Sequence, residues 1–104
     1  MKYTVEALRE IASLSIAESH RYSDAVSALR NLASDGAISW DDVERVEDAS
    51  KPYVSKANAV HAAAMHALEI ALNQPRPPFI PAPAPLTAKE EMILDRAVND
   101  YYNA

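Results

Sequence analysis

Leu32-Ala33-Ser34-Asp35-Gly36-Ala37-Ile38-Ser39-Trp40-Asp41-Asp42-Val43 decides the fold of this chain, and Gly36 is its only glycine. A residue just past a helix end commonly takes the left-handed conformation, which glycine reaches without a Cβ penalty, so Asp35-Gly36 predicts the stop of one helix. Ser39 predicts the start of the next. Its hydroxyl is placed to accept the Asp42 amide hydrogen while Asp42 reaches back to the Ser39 amide, and Ile38 is placed to clasp Val43 across the start. The stretch reads as the turn of a helical hairpin.

Upstream, Thr4 to Ser34 is helical in pattern, with Val5, Leu8, Ile11 and Ala12 on one face and Tyr22, Ala25, Val26, Leu29 and Leu32 on one face further on. The stripe turns polar at Ser15, Glu18 and Ser19, and Ser23-Asp24 has the form of a fresh cap, so a bend or break near residues 20 to 23 is one reading. Ser15, Ser19, Ser23 and Ser27 step by four, either as a ridge of small side chains for a close helix neighbour or as a solvated face. Downstream, a second helix is expected from Trp40 to about Ala49 with Val43, Val46 and Ala49 inward. Proline removes a helical hydrogen bond anywhere beyond the first turn, so a new or kinked helix is expected from about Pro52 to about Asn73. Between Ala57 and Leu68 this third helix carries no formal charge and shows apolar side chains on every face. Such a helix is expected to be covered all round, by the rest of the chain or by a second copy through Val60, Ala64, Met65 and Leu68.

Gln74 to Leu86 (QPRPPFIPAPAPL) holds six of the seven prolines, which predicts an extended strap without internal hydrogen bonds. At about 3.1 Å per residue it is long enough to run back along the third helix. Phe79 and Ile80 would anchor it there; the alternatives are a free arm or a proline-rich docking peptide. Thr87-Ala88-Lys89-Glu90 is a second capping box opening a last helix to about Tyr102, with Ile93, Leu94, Ala97, Val98 and Tyr101 as its apolar stripe. The expected architecture is an all-α small helical bundle: a bundle core over residues 1–73, the strap over 74–86 and a C-terminal helix over 87–104 packed on or near the core. Helix is favoured nearly everywhere outside the prolines, since 49% of the 104 residues are hydrophobic, many of them alanine, and there is a single glycine.

Composition removes several functions. The absence of cysteine excludes disulfides, thiolate metal sites and a cysteine nucleophile. One glycine leaves no phosphate-cradling loop and no Gly-x-Ser-x-Gly elbow. Basic residues are scattered through a chain of net charge −5, which argues against a nucleic-acid surface. The start lacks a secretory signal and the Ala57–Leu72 stretch carries Asn58, His61, His66 and Glu69, so a cytoplasmic protein without a membrane span is expected. The turn partly resembles the calcium loop of an EF-hand, aligning Asn31, Ala33, Asp35, Gly36, Ile38, Ser39 and Asp42 with its positions. Ala33 supplies no oxygen at the third position and Asp42 is shorter than the closing glutamate, so calcium is not expected. His20, His61 and His66 make no pair at ligand spacing; His66 and Glu69 do, and only a twofold assembly around His61, His66 and Glu69 would make a metal or ligand site of them. No catalytic residue, metal or cofactor is expected.

The acidity is concentrated. Residues 37 to 51 hold Asp41, Asp42, Glu44, Glu47 and Asp48 against Arg45 and Lys51, which places −3 of the net −5 there. Asp41, Glu44 and Asp48 share a helical face beside Trp40, a residue type common both at core edges and at interface centres. The function expected is binding to another protein with a basic surface, as adaptor, regulator or inhibitor, one form being a phage-like or mobile-element inhibitor whose carboxylates stand in for phosphates. Trp40, Asp41, Glu44, Asp48 and the exposed Tyr102 are its candidate contacts. The alternative is a structural subunit, a dimer or larger, assembling through the alanine-rich helix.

Overall fold

A computed structural model describes residues 3–72 and 84–103. The chain is an all-α bundle of three helices in the described residues: α1 (Val5–Ser34), α2 (Trp40–Ala71) and α3 (Ala88–Tyr102). Helices α1 and α2 form the long hairpin, and α3 packs against one end of it. None of these helices is long and apolar enough to cross a membrane. Phe79, Ile80 and most of the proline-rich stretch lie outside the described residues.

The hairpin turn forms as its sequence requires. Gly36 has φ +79°, in the left-handed region. The Ala37 amide donates to the Leu32 carbonyl at 2.9 Å and the Gly36 amide to the Ala33 carbonyl at 3.1 Å, closing the last turn of α1. Ser39 Oγ accepts the Asp42 amide hydrogen at 3.2 Å. The return bond from Asp42 to the Ser39 amide is not made. At the start of α3 the same motif is complete, because Glu90 has the extra methylene needed to reach the Thr87 amide at 3.1 Å while Thr87 Oγ1 accepts from Glu90.

Helix α1 does not break near residues 20 to 23. The Ser15 hydroxyl turns back onto its own helix, donating toward the Ile11 and Ala12 carbonyls, and Ser15 and Ser19 are buried while Ser23 and Ser27 are exposed. Nor does a new helix begin at Pro52; α2 runs through it. Two ties to α1 hold it on either side of the proline. Arg30 bridges Glu47 at 2.7 Å, and the Tyr22 and Tyr53 rings stack at 5.8 Å. Packing on one continuous partner thus outweighs the single backbone bond that proline forfeits.

The core sits where all three helices meet. Leu8, Ile11 and Ala12 of α1, Ala63, Ala64, Ala67 and Leu68 of α2 and Leu94 of α3 are buried there together with Tyr3, while Leu86 and the rest of the α3 stripe pack against them half-buried. Alanines on α2 let the neighbouring helices approach closely. The alanine-rich segment is nevertheless not covered all round: Met65 and Ala62 face solvent. Val46 and Ala49, expected inward, are also exposed, as is Leu32. The reason is length, since α3 has 15 residues against 32 in α2 and covers only part of the hairpin.

Candidate functional site

The Gly36 turn and the Ser39 cap fix the first turn of α2 and, with it, the direction of Trp40. Val43 is buried against α1, which commits one side of that turn to the hairpin. Trp40 is left 56% exposed, so it is a surface residue and not a core edge. Asp41, Glu44 and Asp48 are exposed on the same stretch of α2. Their charges are not equally available. Lys51 lies 3.0 Å from Asp48, which raises the Lys51 pKa, and Arg45 lies 3.8 Å from Asp42. Arg30 takes Glu47. Asp41 and Glu44 form no ion pair among the described residues, although Glu44 adds to the field that raises the Lys51 pKa, and both follow the indole within one turn of the helix.

Tyr102 is exposed too, but elsewhere. Its neighbour Tyr101, in edge-to-face contact with it at 5.1 Å, lines a cleft with Lys56. Lys56 stands sixteen residues along α2 from Trp40, a span of about 24 Å at the helical rise. The structure therefore brings Trp40, Asp41, Glu44 and Asp48 together and leaves Tyr102 apart. Of the four residues expected at a contact between copies, Ala64 and Leu68 are spent on the chain's own core, Val60 is half-buried beside the same cleft, and only Met65 is exposed.

Two of the three histidines tie the helices together, while His20 is exposed. His61 Nδ1 donates to the Ala12 carbonyl at 2.9 Å, joining α2 to α1. His66 pairs not with Glu69 in its own helix but with Glu90 of α3, Nδ1 to Oε2 at 2.7 Å, and its Nε2 bonds the Ala84 carbonyl at 2.7 Å. A carboxylate and a carbonyl only accept, so the ring serves both when it carries hydrogen on both nitrogens. The Glu90 and Ala84 bonds accordingly raise the His66 pKa, and the His66 bond lowers that of Glu90. No group of three or more potential metal ligands occurs among the described residues.

Two features escaped the sequence reading. Tyr3, buried just ahead of the Thr4 cap, donates to Asp95 Oδ1 at 2.6 Å and ties the start of α1 to α3; burial and this bond hold its hydroxyl pKa well above the ordinary value. A lone tyrosine before a cap was the only signal. The other is the cleft of about 550 Å³ among Ile11, Leu14, Val60, Ile93, Ala97 and Tyr101, also lined by Glu18, Lys56, Arg96 and Asp100. It opens where α3 ends beside the hairpin, so it follows from a helix length that no local pattern relates to the other two. No protein-family model matches the chain, and no curated protein or solved structure is significantly similar to it.

Proposed function

We propose that the protein acts by binding another protein, through the face at the hairpin end formed by Trp40, Asp41, Glu44 and Asp48, and that it is not an enzyme. The observation that carries this reading is Trp40, a large aromatic ring more than half exposed and followed by two carboxylates that form no ion pair among the described residues. Exposed aromatics of this kind serve as anchors at interface centres. Unpaired carboxylates around such an anchor favour a partner with a basic surface and speed its approach. An adaptor, a regulator or an inhibitor would each use the face in this way.

The test is charge reversal. Asp41→Lys, Glu44→Lys and Asp48→Lys together leave the buried face of α2 untouched, so circular dichroism and the melting temperature should stay close to those of the parent. Association with a partner captured by the parent protein should slow, and its salt dependence should disappear. A triple variant that binds this partner at the parental rate refutes the reading.

A further inference from the structure

On α2, Asp42, Val46, Ala49, Tyr53, Lys56, Val60, Ala63 and Ala67 advance by alternating steps of four and three, which draws one line along the helix. The line has two halves. Val60, Ala63 and Ala67 belong to the core that Leu94 of α3 completes or pack against it. Tyr53 and Lys56 continue the same face beside the last turns of α3, across the cleft, and Asp42, Val46 and Ala49 carry it on beyond the end of α3; all five residues are exposed, Val46 by 45% and Tyr53 by 57%. Helix α1 carries a matching line, Leu14, Glu18, Arg21, Ala25, Ala28 and Leu32, exposed throughout. The two lines border the same groove, because Leu14 and Glu18 share the cleft with Tyr53 and Lys56. The hairpin thus presents a seam for a further helix along its outer half and uses its own α3 only along the inner half. The connection 73–83 leaves from Leu72 and returns at Ala84, beside His66 at the opposite end.

The order of residues says what fits the seam. Read from Ala49 in both directions, the α2 line is apolar and then charged, with opposite signs at its two ends: Val46 and Asp42 one way, Tyr53 and Lys56 the other. A twofold axis at Ala49 sets Asp42 of one chain against Lys56 of the other and Val46 against Tyr53, with the small Ala49 at the point of closest approach. Lys56 has no ion pair among the described residues, and the Arg45 contact to Asp42 is long and solvent-exposed. We propose that two copies of this chain pair antiparallel along this seam, so that their outer hairpin halves form a four-helix bundle, an arrangement typical of twofold assemblies. The face bearing Trp40, Asp41 and Glu44 stays outside the seam, one on each chain of the dimer.

Sedimentation equilibrium on the full chain tests this. At hundreds of micromolar the mass should be twice the 11.4 kDa of one chain. Val46→Arg should reduce it to one chain without lowering the helical content, because Val46 is already exposed. Lys56→Asp should raise the dimer dissociation constant at least tenfold, and adding Asp42→Lys to it should restore most of the affinity. A parent chain that stays monomeric, or a Val46→Arg chain that stays dimeric, overturns the seam. A double variant no tighter than Lys56→Asp overturns the antiparallel register.

Discussion

Leu94→Ala should release α3 from the hairpin. Leu94 is the one fully buried residue of that helix, while its companions Ile93, Ala97, Val98 and Tyr101 are half-buried. The substitution removes three carbons, worth about 2.4 kcal/mol at about 0.8 kcal/mol per methylene. Leu8, Ala64 and Ala67 share the core cluster of Leu94 and are sealed from solvent, and the two alanines are too short to refill the vacated space. A residual cavity adds to the cost, for a total of about 3 kcal/mol, within the usual span for such truncations. That is a large part of the roughly 5–15 kcal/mol that holds a domain together. At 15 residues α3 is only marginally helical by itself, so weakened docking becomes unfolding. Urea denaturation should show the loss, and amide exchange resolved by segment should show faster exchange over residues 88–102 while the 32–43 turn keeps its protection. Unchanged protection over 88–102 with a stability loss below about 1 kcal/mol would refute the reasoning.

Gly36→Val should destabilise the chain by about 1–2 kcal/mol, because φ +79° costs a branched side chain that much even though open space surrounds the glycine; a thermal melt at the parental midpoint would contradict this. The His66–Glu90 pair should give α3 docking a pH window. The raised His66 pKa contributes stability that is fully present below about 6.5 and is lost as pH rises through the folded value, whereas the lowered Glu90 pKa contributes stability present above about 4.5 and lost as pH falls through its folded value. Protection of the α3 amides, taken relative to exchange of an unstructured chain at the same pH, should therefore be greatest between these limits, and His66→Ala should remove the alkaline fall in protection; an unaltered alkaline fall in that variant would show that another group carries it.

Local chemistry was legible wherever neighbours in sequence decide the structure. Gly36 and Ser39 announced the turn, Thr87 and Glu90 the start of α3, and the spacing of Leu8, Ile11 and Leu94 the core. Pro52 misled because the Tyr22–Tyr53 stack and the Arg30–Glu47 bridge, which carry α2 through it, join residues on different helices. For the same reason Glu69, at helical spacing, was a more visible partner for His66 than Glu90, which reaches it across 24 residues, and the Tyr3–Asp95 bond spans 92. Val46 and Ala49 read as inward by periodicity alone, which marks an apolar face without saying whether a neighbour is long enough to cover it. At the candidate site the acidic cluster was readable, but which carboxylates keep their charge unpaired depended on where Arg30, Arg45 and Lys51 fall in space.

Trp40 is the only tryptophan, so its fluorescence reports on the proposed binding face alone. In the free protein, with the ring 56% exposed, its emission should be that of a hydrated indole and acrylamide should quench it readily. On addition of a basic protein partner the account predicts a shift of the emission to shorter wavelength and protection from the quencher, both weakening as salt is raised. A partner that binds while the emission and the quenching of Trp40 stay as they were would contradict it.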